Sequence, residues 1–118
     1  MVQEIKLNLG GKDRKFTFGL LFIGSVLKRL DTNYIDMFGI LGEDLIKHSP
    51  MLFFESLKNT YRIEKKDLDF TENDIEIWLS NEHFNGLGLI NEFEQAFMQS
   101  LNNPLPVEED KKDNVKKK

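Results

Sequence analysis

The chain of 118 residues has no cysteine, three prolines and only two histidines. Without cysteine there is no disulfide framework, no thiolate metal site and no cysteine nucleophile. No apolar run approaches the ~18 residues that span a bilayer, so no membrane segment is expected. Met1-Val2-Gln3-Glu4-Ile5-Lys6 lacks the basic-then-apolar order of a signal peptide. An excess of positive charge is missing as well. The formal net charge is −4 and the pI is about 5.2. A dedicated nucleic-acid binder usually carries a basic face, so nucleic acid is not an expected partner.

Phenylalanine is plentiful instead, with ten copies, all between positions 16 and 97. Each buried ring removes roughly 150–250 Å² from water, so these residues can supply the core of one small domain. Beyond Pro104 the composition changes. Residues 107–118 hold nine charges and two apolar side chains, Val107 and Val115. Such a segment cannot offset its ordering entropy. The division is therefore one folded domain over 1–103 and a disordered charged tail over 104–118. The tail has a net charge of +1, which leaves about −5 on the rest.

Ile5, Leu7 and Leu9 alternate with polar residues, and Phe16 and Phe18 do the same after Gly10-Gly11. That pattern predicts a β-hairpin with a glycine turn. Helical spacing of Leu20, Leu21, Ile23, Val26, Leu27 and Leu30 predicts a helix over 19–30. Asp31-Thr32-Asn33 reads as a polar break. A second, shorter helix is expected around 40–47, weakened by Gly39 and Gly42. Ser49-Pro50 offers an N-cap followed by a first-turn proline, which starts a third helix ending near Tyr61. The charged run 64–67 reads as a loop. Thr71 with Asp74 forms a relaxed capping box for a helix over 72–81. Residues 83–88 read as a connection. Leu89, Ile90, Phe93, Phe97 and Leu101 make the cleanest helical stripe, which stops before Asn103-Pro104. The predicted class is α+β: an N-terminal hairpin packed on a mainly helical bundle of about five helices.

Chemistry-bearing patterns are sparse. His48 and His83 sit in separate segments, with no Gly-x-Ser-x-Gly elbow, so two loop or helix-end histidines are the simpler reading. His48 is expected near a helix C-terminus, where the dipole suits it. Asp67, Asp69 and Thr71 alternate like the first ligands of an EF-hand. However, Glu72 and Trp78 stand where that loop needs a glycine and a closing glutamate. The glycine pairs lack the lysine and hydroxyl of a phosphate loop. Catalytic, metal and cofactor residues are therefore expected to be absent, and the chain is expected not to be an enzyme. The lysines at 111–112 and 116–118 are interleaved with acids and read as a solvated tail. Apolar surplus is what remains. Met51, Phe53 and Phe54 exceed a single stripe on the third helix, and Phe97 and Met98 lie side by side on the last. These five are the candidate partner-binding or self-association residues, with a well-filled core as the alternative.

The order of elements has one further implication. Ile5-Lys6-Leu7-Asn8-Leu9-Gly10-Gly11-Lys12 leads to Phe16-Thr17-Phe18-Gly19-Leu20-Leu21-Phe22 and then Leu27-Lys28-Arg29-Leu30. Short helices and Phe93-Glu94-Gln95-Ala96-Phe97 follow. Over residues 5–101 this resembles the tail assembly chaperones of long-tailed phages infecting Gram-positive bacteria. The resemblance implies a non-enzymatic homo-oligomer in the host cytoplasm that binds and solubilises the tape-measure protein. It also implies recruitment of tail-tube subunits, departure before the virion is finished, and a longer frameshift product. The A-rich codons of Lys116-Lys117-Lys118 would suit a slippery site. A slippery heptamer there with an overlapping downstream frame is the expected nucleotide signature. Its absence would count against a frameshift. The competing expectation is a small phage regulatory or anti-host protein that binds one folded host target.

Overall fold

A β-hairpin opens the chain and lies against a helical bundle, giving an α+β domain. The structure, a computed structural model, describes residues 4–81 and 85–102. Among these residues the order is β1 (Glu4–Leu9), β2 (Lys12–Thr17), α1 (Leu20–Leu30), α2 (Tyr34–Glu43), α3 (Leu45–Ile63), α4 (Glu72–Ser80) and α5 (Gly86–Asn102). The proposed domain boundary at 103, the charged tail and His83 lie outside the described residues. No helix among the described residues is long and apolar enough to cross a membrane.

β1 and β2 pair antiparallel, from Glu4 opposite Thr17 to Leu9 opposite Lys12. Gly10 and Gly11 have φ of +69° and +89°, the positive values that a two-residue primed turn requires. A Cβ at Gly10 would stand 2.6 Å from the Trp78 ring, so only glycine lets the indole lie against the turn. Ile5, Leu7, Arg14 and Phe16 share the inward face. Phe16 is fully buried, and Arg14 is only 6% exposed.

Among the described residues Arg14 is the buried cation. Its Nε donates to the Leu9 carbonyl at 2.8 Å, and its Nη1 donates to the Tyr61 hydroxyl at 3.2 Å and to Asp69 at 3.3 Å. The guanidinium also lies 5.1 Å from the Phe70 ring centre and 4.8 Å from that of Trp78. One side chain thus joins β2 to α3, to the loop after it and to α4. Asp69 meets Lys12 at 2.7 Å and accepts from the Tyr61 hydroxyl at 3.1 Å. The EF-hand-like alternation therefore has a structural use. Its Asp69 pairs with the hairpin, and Thr71 caps α4.

These contacts hold Asp69 well below its ordinary 3.8, at about 2, with the Lys12 hydrogen bond as the largest cause. The charged form is thus favoured by folding. The stability it contributes is present above 3.8 and disappears as pH falls through about 2. Because Asp69 is nearly half exposed, solvent screening keeps this contribution small. Asp69→Asn should be less stable than the parent at neutral pH, and the gap should close on acidification through that window. Urea unfolding across a pH series reads this directly, and a pH-independent gap would contradict it.

The hairpin docks on α3 through buried hydroxyls. Ser56 Oγ donates to the Thr17 carbonyl at 2.9 Å, Asn59 Nδ2 donates to Thr17 Oγ1 at 3.1 Å, and the Thr17 and Thr60 hydroxyls bond at 2.9 Å. Arg29 ties α1 to α3 and α4, with 2.8 Å to the buried Glu55 and 2.9 Å to Glu72. Buried polar groups kept in partners avoid a desolvation penalty of about 1–3 kcal/mol each.

The core is an aromatic cluster. Phe93 stacks on Phe53 at 4.4 Å and meets Phe16 and Phe18 edge-on at 5.7 and 5.3 Å. Phe22 and Phe97 close it at 5.2 Å.

Several expectations hold. The Gly-Gly turn, the Asp31 break and the Thr71–Asp74 capping box are all present, the last with both hydrogen bonds. Others need correction. The second helix begins at Tyr34, not near 40, because the Asn33 side chain accepts the Asp36 N–H and Met37 and Leu41 are buried. Gly39 and Gly42 face open space, so they cost helix propensity but no packing. Ser49-Pro50 does not start a helix. Asp44 is the N-cap of α3, accepting the Lys47 N–H, and Ser49 Oγ turns back to the Leu45 carbonyl at 2.6 Å. Pro50 lies inside α3. Its missing donor leaves only the carbonyl of Ile46, a residue 62% exposed at the helix start. His48 consequently sits in the early turns of α3, not near a C-terminus. The connection expected over 83–88 is already helical from Gly86.

Candidate binding groove

Each of three helices carries a stripe at helical spacing onto one shared face. Phe38, Leu41 and Gly42 come from α2, and Leu45, Ser49 and Leu52 from α3. Ile90, Phe93, Glu94, Phe97 and Met98 come from α5. They line an apolar groove of about 140 Å³. Its geometry follows from the joint at Asp44, the one non-helical residue between α2 and α3, with φ −155° and ψ 76°. Asp44 ends one helix and caps the next, so α2 is turned away from the line of α3. Gly42 presents no side chain at the wall, and a Cβ there would meet nothing within 4 Å.

The floor is rigid and the rim is adaptable. Phe93 and Phe97 belong to the aromatic core, 2% and 3% exposed, whereas Met98 is 39% exposed. A thioether at a groove edge can repack around differently shaped partners. The polar groups are few. Ser49 Oγ already donates to Leu45. Glu94 is half-buried and makes no hydrogen bond or ion pair among the described residues. Among the described residues it is the one charged side chain on the lining.

The five sequence candidates separate. Phe97 and Met98 meet in the groove. Met51 and Phe53 are buried elsewhere, with Phe53 in the aromatic cluster. Phe54 is half-buried, edge-on to Phe70 at 6.1 Å with Lys58 over its ring at 5.2 Å. The surplus on α3 is thus core, because α3 is the central helix and contacts β2, α1, α2, α4 and α5. A helix surrounded by neighbours needs a wider apolar stripe than a surface helix. Sequence reasoning missed Phe38, Leu41, Leu45 and Glu94. The spacing 38–41–45 was the available signal, obscured by the two glycines.

Among the described residues no group of three or more His, Asp or Glu is placed to hold a metal ion. Compared with protein-family models, curated proteins and solved structures, the chain has no match.

Proposed function

We propose that this chain is a phage tail assembly chaperone whose client is the tape-measure protein, engaged through the α2–α3–α5 groove. The observation that carries the reading is the groove itself, an open apolar cleft with a methionine at its rim and one carboxylate. An amphipathic client helix could place one apolar anchor at a time into such a cleft. Each contact would be weak, and repetition along a long client would supply avidity without one tight site. Exposed side chains elsewhere, such as Leu20 at 87% and Ile35 at 82%, offer surface for self-association. A homo-oligomer would align several grooves along one client. In this reading the protein acts without catalysis in the host cytoplasm, helps recruit tail-tube subunits through a longer frameshift product, and is absent from the finished virion.

Co-expression tests the reading. The tape-measure protein should be insoluble alone and should co-purify with this chain when the two are produced together. A tape-measure protein that stays insoluble in its presence would sink the proposal.

A further inference from the structure

The groove is too small for a helix face but well sized for one side chain. At about 140 Å³ it matches the scale of an engineered Leu/Ile/Phe-lined cavity of roughly 150 Å³ that holds one benzene. A phenyl or isobutyl group would fill it, and two would not fit. Glu94 adds a second requirement. Its carboxylate stands half-buried on a lining whose other polar side chain, Ser49, already donates to Leu45, and it has no partner among the described residues. A carboxylate so placed favours a neighbouring cation and disfavours an anion.

We infer that the groove is an anchor pocket for one Phe- or Leu-sized side chain of a partner helix that also carries a Lys or Arg about one turn away, paired with Glu94. Residues three or four apart on a helix lie roughly 5–6 Å from each other at Cβ, close enough to serve the pocket and its rim together. This deepens the chaperone reading and rests on it for the nature of the partner, while the pocket's chemistry can be tested without any client.

The probes are phenethylammonium and phenylacetate, one phenyl group with opposite charges, titrated into the full chain and followed by amide NMR. Phenethylammonium should shift Leu41, Ile90 and Met98 with millimolar affinity, and phenylacetate should bind about threefold more weakly. Glu94→Gln should erase that difference. Gly42→Leu adds bulk at the wall where open space exists, so it should abolish binding of both probes while the spectrum stays folded. Should Gly42→Leu fail to fold, Met98→Ala replaces it, and weaker binding of both probes is expected. Equal affinity for the two probes in the parent, or shifts away from these residues, would overturn the inference. So would light scattering showing a dimer that Gly42→Leu converts to monomer, since a second copy would then be the occupant. Saturable client binding unaffected by Gly42→Leu would overturn the pocket but keep the chaperone. Probe binding without tape-measure co-purification would do the reverse.

Discussion

Phe93→Ala is expected to remove about 4 kcal/mol of folding stability, the middle of the range for a buried aromatic truncated to alanine. The position explains the size. Phe93 is 2% exposed and stacks on Phe53 at 4.4 Å. It also touches Phe16, Phe18 and Phe22. Those rings come from β2, the turn after it, α1 and α3, so no single neighbour can move inward without leaving another contact. The residual cavity therefore stays open, and cavity volume is what separates costly truncations from mild ones. Domains of this size have roughly 5–15 kcal/mol in total, so the variant should be close to the edge of folding at ambient temperature. Phe93→Leu, which keeps most of the volume, should cost less than half as much. Urea unfolding followed by circular dichroism measures both. A Phe93→Ala loss below about 1 kcal/mol would mean that the cluster collapses around the gap. Because Phe93 is also the groove floor, the truncation should enlarge the pocket. Benzene should then raise the unfolding midpoint of the variant more than that of the parent.

The same residue shows how far the sequence could be read. The 90–93–97–101 stripe on α5 was legible because a helix repeats its inward face every three to four residues. The hairpin was legible from a period of two that switches strand at two glycines. Both are local patterns. The α2–α3 junction was not legible for the same reason. Ser49-Pro50 carries the same local signal whether a helix begins or continues there. What decides the matter is burial of Ser49 and Leu52 on a helix ringed by β2, α1, α2, α4 and α5, which depends on partners distant in sequence. Asp44, the real cap, was hidden by a stronger-looking signal five residues on. The groove was only half visible. Phe97 and Met98 could be singled out as adjacent apolar residues. Their relation to Phe38 and Glu94 arises from the angle between helices, which no local spacing encodes. Surplus apolar residues on α3 left a sticky face and a well-filled core both open, because composition cannot tell a central helix from a sticky one; burial of Met51 and Phe53 matches the core reading.

Arg14 is the clearest case of a residue whose importance only packing reveals, and its removal carries the second large expected effect. Arg14→Ala should cost about 3 kcal/mol, combining a buried carbonyl left without its donor and two lost ring contacts. Three features raise the figure above that of an ordinary surface arginine. The Leu9 carbonyl would lose its 2.8 Å donor. The slot between Phe70 and Trp78 would be emptied. Asp69 would keep Lys12 but lose its buried partner. Arg14→Met separates these terms, since it refills the slot with an apolar stem while leaving the carbonyl and Asp69 unmatched. Arg14→Lys should recover less than half of the loss, because an ammonium cannot serve Leu9, Tyr61 and Asp69 from one plane while lying against two rings. The chain has a single tryptophan, and it is Trp78, so intrinsic fluorescence reports on this slot directly. Its emission should shift in all three variants before global unfolding begins. An Arg14→Lys protein with parental stability and emission would show that charge alone matters here. The cluster joins β2, α3 and α4, whereas the groove is built by α2, α3 and α5. Phenethylammonium should therefore bind Arg14 variants with parental affinity wherever they remain folded, which distinguishes a damaged scaffold from a damaged site.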